Sequence, residues 1–343
     1  MILDFLKIQI YLLFVIIILC ISEILKSKSD FSKTLLSLLS FDKYVSKKAI
    51  FSFIVAILGI LPIPGRIVLI NFILDSISSK NDKTSYKLGI LSYISTHHYY
   101  LWSPIETSII ISMGILNLSY REILGYTIIP LISYITCFIL YIIFFIKEED
   151  FKNVEVVEEN KLNIESIKDI FNMLLTIVIS VIVSNEIFMV LIFFHLFMFL
   201  KYKYNIPFKD ILIKLDYKFI LSIFIILLIG FIIKNNIIIS KEYLLTITNN
   251  NMFMIFFYCF IFSFILGSSA RFSTIASTVT LALGMQYFTL LYIIDYCGYL
   301  LSPIHKCTYY ILSFFNFNFR FYIYLIIQSL IVFIPALILF IYN

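Results

Sequence analysis

Ionisable and hydroxyl side chains are rare in the apolar stretches of this 343-residue chain, so those that occur there are candidates for chemistry. Arg66 follows the helix-breaking run Leu61-Pro62-Ile63-Pro64-Gly65, and Arg271 follows Gly267-Ser268-Ser269-Ala270. An Arg at the middle of a bilayer costs about 2.5–3.5 kcal/mol on insertion scales, and its planar fork suits a carboxylate or another oxyanion. Arg66 with Gly65, and Arg271 with Ser268 and Ser269, are therefore candidate anion contacts. The plainer alternatives are snorkelling, pairing with Asp75 or Asp295, and back-bonding of the serines to helix carbonyls.

A second pair of runs carries the same pattern, Y-L-x-S-P-I. Tyr100-Leu101-Trp102-Ser103-Pro104-Ile105-Glu106 returns as Tyr299-Leu300-Leu301-Ser302-Pro303-Ile304-His305. Ser103 and Ser302 add hydroxyls at matching places. Glu106 and His305 also match, each just beyond the proline, and with Lys306 they are candidate ion-coupling groups. Burial favours the uncharged form of both a carboxylate and an imidazole, so either can exchange a proton when its surroundings change. The plainer alternatives are a carboxylate balancing a helix N-terminus and a hydrogen-bonded core imidazole. His97 and His98 predict no metal site, because neighbours on a helix point about 100° apart. The five cysteines lack a C-x-x-C pair and read as small apolar groups. No catalytic residues are assigned, since nucleophile elbows, Walker loops and dinucleotide fingerprints are absent.

The elements that must position these groups follow from composition. The chain is 61% hydrophobic and only 14% charged, with a mean hydropathy of +1.01. About 25% charge is usual for a soluble domain, so a soluble enzyme and a nucleic-acid binder with a basic face are both excluded. Apolar runs long enough for about 20 residues of helix predict an all-α polytopic membrane protein. Single crossings are expected near 5–25, 123–146, 166–183, 186–200, 218–233 and 321–341. Pro104 and Pro303 should interrupt the stretches 88–116 and 286–313, because proline lacks the donor that a helix needs. Segments 49–77 and 252–284 are too long for one span and too short for two. They predict re-entrant hairpins that turn at Pro62–Arg66 and Gly267–Arg271.

Loop charge agrees with this arrangement. If 49–77 re-enters, the basic loops 26–48 and 78–87 share one side, as the positive-inside rule prefers. Only Lys7, Arg121, Lys234 and Lys241 then fall outside, with Arg66, Arg271 and Lys306 inside the membrane. Both termini come out external, in the cell membrane. The organisation is a first transmembrane repeat over 1–146, an acidic linker with two joining helices over 147–217, and a second repeat over 218–343. The order of helix, connector, hairpin and broken helix occurs twice in opposite orientation, as in inverted-topology carriers.

The Pro-Ile-Pro-Gly tip, Trp102-Ser103-Pro104 and above all Gly298-Tyr-Leu-Leu-Ser-Pro-Ile-His305-Lys-Cys307 resemble the integral-membrane family called domain of unknown function 401. The second run is similar to that family's Gly-x-Leu-x-Ser-Pro-x-His-x-Cys signature, and the resemblance spans about 50–315. Arg66 stands where the family tip has a second glycine, and Tyr99-Tyr100 where it has Arg-His. The resemblance implies membership of the ion-transporter superfamily, with its citrate, dicarboxylate, arsenite and sodium/proton carriers, and homodimerisation. The expected function is secondary active transport of a small anion, coupled to protons or Na⁺, by alternating access. A cation/proton antiporter and an intramembrane lipid- or peptide-processing enzyme are the alternatives. The expected partners are the lipid bilayer and a small anionic solute, with no nucleic acid. No cofactor is expected beyond Na⁺ or H⁺ as the coupling ion.

Overall fold

The computed structural model describes residues 2–27, 46–60, 70, 82–151, 164–236, 241–248, 251–267, 269–314 and 319–342. Every regular element among them is helical, because unbroken apolar runs leave the backbone no solvent to bond with and helices satisfy it internally. Four helical segments are long and apolar enough to cross a membrane: Leu6–Leu25, Tyr120–Phe145, Met285–Leu312 and Phe319–Tyr342. A fifth arises if Glu186–Lys203 and Phe208–Lys214, bent by 115°, are counted together. Outward faces of these helices are lined by large apolar side chains, among them Ile132, Ile143, Phe144, Leu330 and Ile334. Such faces are unfavourable in water and are those of a membrane protein.

The first part of the chain contains α1 (Ile2–Ser27), α2 (Lys47–Ile60), α3 (Asp82–His97), a 3-10 turn (His98–Leu101), α4 (Thr107–Leu116) and α5 (Tyr120–Phe145). The stretch expected to break at Pro104 does so between the turn and α4. Glu106 then starts α4 in extended conformation. Asn117 ends α4 in the left-handed region at φ +58°, and a Ser119–Glu122 capping box starts α5. α2 packs closely on α3. A Cβ at Gly59 would lie 1.9 Å from the Ser95 carbonyl oxygen, so only glycine allows the approach. Most of the first expected hairpin beyond Ile60, including its tip with Gly65 and Arg66, lies outside the described residues.

The middle of the chain forms α6 (Ile164–Val183), α7 (Glu186–Lys203), α8 (Phe208–Lys214) and α9 (Tyr217–Asn236). The run expected to end as a crossing near residue 200 continues after a sharp turn. Asn205 at φ +49° and Pro207, the N-cap of α8, redirect the chain there. The acidic linker begins with a docked segment: Asp150 is buried, 3.5 Å from the Lys87 ammonium, and the Phe151 ring packs on Phe51. Residues 152–163 of that linker lie outside the described residues.

The last part has α10 (Lys241–Ile247), α11 (Met252–Leu266), α12 (Ser269–Leu283), α13 (Phe288–Leu301), α14 (Lys306–Phe314) and α15 (Phe319–Tyr342). Gly267 closes α11 at φ +53°, the left-handed conformation that glycine adopts without penalty. Ser302, the residue before Pro303, is extended at ψ 123° and ends α13. α11 lies against α13, with Gly298 facing the Phe260 carbonyl. α12 lies against both α13 and α4, and so joins the last part of the chain to the first.

Candidate site at the crossing of two interrupted helices

The two Y-L-x-S-P-I runs, 199 positions apart in the chain, meet in space. The hydroxyls of their matching tyrosines, Tyr100 and Tyr299, are 2.6 Å apart. Tyr296 donates to the His97 carbonyl at 2.9 Å, and these positions also match in the register of the two runs. Tyr93 donates to the Leu300 carbonyl at 2.8 Å, and its counterpart Tyr292 to the Tyr100 carbonyl at 2.7 Å. Each break therefore leaves carbonyls without helical partners, and tyrosines of the other interrupted helix supply donors to them. Tyr93, Tyr292, Tyr296 and Tyr299 are completely or almost completely buried, so their hydroxyls need such acceptors.

A further layer of donors comes from α5. Tyr120 donates to the Trp102 carbonyl, Thr127 to Leu101 at 2.6 Å, Tyr134 to Ile94 at 2.7 Å and Tyr141 to Lys87 at 2.9 Å. The spacing of seven places these four side chains on one face of the helix. The Trp102 indole N–H donates to His98 Nδ1 at 2.9 Å, and the two rings are nearly parallel.

Ser103 and Ser302 are both fully buried, and neither hydroxyl has a hydrogen-bond partner among the described residues. Glu106 is buried at the start of α4, with Thr107 Oγ1 3.1 Å from its carboxylate. His305 is buried at the second break, its Nε2 2.9 Å from His97 Nε2. Its neighbour Lys306 opens α14 with an exposed side chain. Ser269 and Arg271 lie in the first turn of α12, but their side chains, like all of Ser268, Gly65 and Arg66, are outside the described residues. Of the expected site residues, the structure thus gathers Ser103, Ser302, Glu106 and His305 around the two breaks.

Three contributors were not singled out from sequence as site groups. Asp295 is completely buried in α13, and its Oδ2 is 3.3 Å from the Ala276 backbone N–H of α12. A carboxylate inside an apolar run was its available signal. His97 is buried beside His305, where Tyr93 stacks on it with ring centroids 3.9 Å apart. Cys307 lies beside both imidazoles. Local spacing shows only the His305-x-Cys307 part of this cluster, because His97 comes from the other interrupted helix.

Comparison of the chain with protein-family models and with curated proteins finds no match in either.

Proposed function

We propose that this protein is a secondary active carrier whose solute site is the crossing of the two interrupted helices. One observation carries the proposal: two buried hydroxyls at matching positions, Ser103 and Ser302, lack partners where two helix breaks meet. A buried polar atom without a partner costs about 1–3 kcal/mol, a cost that a bound solute or ion would offset. Broken helices that converge in an apolar protein bring helix dipole ends together, as in carriers that hold solutes at such breaks.

The finer architecture belongs to the same proposal. Residues 1–146 and 218–343 are inverted repeats related by a pseudo-two-fold axis near the Tyr100–Tyr299 pair. The contact between these matching residues, and the near-reciprocal bonds of Tyr93 and Tyr292, support that symmetry. Segments 49–77 and 252–284 are the re-entrant hairpins, and the left-handed break at Gly267 supports the second of them. The carrier resides in the cell membrane with both termini outside, as the loop charges favour.

The solute is a small anion, for which Arg66 and Arg271 at the hairpin tips are the selecting groups. Transport is coupled to H⁺ or Na⁺ through the buried carboxylates Glu106 and Asp295. The chain is a diverged member of the domain of unknown function 401 family, on the strength of the Gly298–Cys307 run.

The test is uptake into proteoliposomes of labelled citrate, succinate, gluconate, arsenite and sulfate under imposed pH or Na⁺ gradients. Gradient-driven accumulation of one anion is expected, and it should disappear in Glu106→Gln and Arg271→Ala proteins that still insert and fold. Accumulation that persists in Arg271→Ala would remove the anion assignment. Folded protein that moves no anion, yet exchanges alkali cations for protons, would replace the proposal with an antiporter.

A further inference from the structure

We propose that His97, His305 and Cys307 form a coordination site for a borderline or soft transition-metal ion of the Zn²⁺ class. Their ligand atoms all lie within 4.8 Å of one another, with both imidazoles buried and the thiol partly so. Metal binding is a property separate from carriage of an anion and does not rest on it.

The imidazole pair is close to what such an ion requires, and the Cys307 thiol, within 4.8 Å of the other ligand atoms, closes toward the roughly 3.6 Å that Zn–S and Zn–N bonds of about 2.3 and 2.0–2.1 Å set. Four-coordinate zinc holds nitrogen at about 2.0–2.1 Å, which places two imidazole nitrogens about 3.3 Å apart at the tetrahedral angle. His97 Nε2 and His305 Nε2 are 2.9 Å apart, so the rings need separate by only a few tenths of an ångström. His97 is already oriented for the task. Its Nδ1 is 2.7 Å from the Tyr93 carbonyl oxygen, which can only accept, so Nδ1 carries the proton and Nε2 presents its lone pair. The Nε2–Nε2 contact then requires His305 Nε2–H to donate to His97 in the metal-free protein.

The Tyr93 ring stacks on His97, and the Tyr299 ring lies 4.2 Å from His305, so aromatic walls restrict the orientation of both imidazoles. Two imidazoles and a thiolate favour Zn²⁺, Co²⁺ or Cu⁺ over Na⁺, Mg²⁺ or Ca²⁺, which prefer oxygen. Binding of a divalent ion displaces the Cys307 thiol proton to solvent and moves the His305 proton from Nε2 to Nδ1. The fourth position is left to water or a solute, the arrangement of open rather than structural zinc sites. His97 belongs to the first interrupted helix, and His305 and Cys307 to the second. A bound ion would therefore tie the two breaks together.

The test uses the full chain in detergent, stripped with chelator and titrated with Co²⁺. A 1:1 complex is expected, with tetrahedral ligand-field bands in the visible and a thiolate-to-cobalt band in the near ultraviolet, both displaced by Zn²⁺. Cys307→Ser should abolish the thiolate band, and His97→Gln or His305→Gln should weaken binding at least about 100-fold. His195→Gln, on the exposed side of α7 and outside the cluster, should bind as the parent does. Zn²⁺ should raise the unfolding temperature of the parent but not of Cys307→Ser. Folded parent protein that binds no Co²⁺, or a thiolate band that survives Cys307→Ser, overturns the proposal. Either result leaves the transport assay to judge the carrier by itself.

Discussion

Around the first break, α5 places a hydroxyl every seven residues against the interrupted helix, through Tyr120, Thr127, Tyr134 and Tyr141. Carried forward in the register of the shared Y-L-x-S-P-I run, these positions become Phe319, Ile326, Phe333 and Phe340 of α15. Among the described residues, the second break has no such ladder from its following helix. An apolar pocket of about 590 Å³ opens there instead, lined by residues of α11, α13 and α15 that include Cys297, Leu301, Ile326, Phe333 and Phe340. In the same register Cys297 and Leu301 stand where the first half has His98 and Trp102, which bond to each other. The first break is thus cross-linked to its following helix by hydrogen bonds, whereas the second meets its following helix mainly through apolar contact beside an open groove, with Cys297 Sγ 3.5 Å from the Ser329 carbonyl. Directional bonds resist sliding, whereas apolar contacts exchange at small cost. The helices of the first half are therefore expected to resist displacement more than those of the second.

Glycine contacts offer the strongest test of this contrast. Gly59→Ala would drive a Cβ into the Ser95 carbonyl, and Gly298→Ala would place one 2.4 Å from the Phe260 carbonyl. Backbone atoms cannot move aside as a side chain end can. Each substitution should therefore cost about 1–3 kcal/mol or more, with Gly59→Ala the worse because its half is the more rigid. Gly125→Ala, with open space around its Cβ, should gain up to about 1 kcal/mol by helix propensity. Thermal unfolding in detergent reads all three, and equal losses at Gly59 and Gly298 would blunt the contrast.

Next in size is the hydroxyl ladder. Tyr134→Phe should cost about 1 kcal/mol, since it removes the bond to the Ile94 carbonyl from a buried site. The reverse exchange in the other half, Phe333→Tyr, should bring no gain, because that position faces an apolar pocket. Stabilisation by Phe333→Tyr in the same unfolding assay would mean that α15 also approaches its carbonyls closely. The smallest effect should come from Leu301→Trp, which restores the first-half residue and fills part of the pocket. A gain of about 0.5 kcal/mol in stability is expected, read as a rise in unfolding temperature, the low end for added packing. A loss would show that the pocket does not admit the larger ring.

Much of this protein follows from its residues in order. Membrane residence and an all-helical build are dictated by long apolar runs, since a buried backbone must satisfy itself. Ser103-Pro104 and Ser302-Pro303 mark the two interruptions through proline's missing donor together with their matching context, since Pro130 and Pro335 are carried inside α5 and α15 without a break. Gly267 likewise marks the end of α11. Glu106 and His305 could be singled out because ionisable groups are costly inside a membrane.

Tertiary structure alone decided which of these groups meet. His97 and His305 are 208 positions apart, and no local pattern states that their nitrogens come within 2.9 Å. The partner of His97 is set by how two interrupted helices cross, which depends on glycine contacts and tyrosine–carbonyl bonds spread over the whole chain. The same holds for Asp150, which lies in the acidic linker yet is buried against Lys87. Periodicity reports which face of a helix is apolar. It carries no information on which other helix that face will find, because that choice is made by shape and hydrogen bonding between segments distant in sequence.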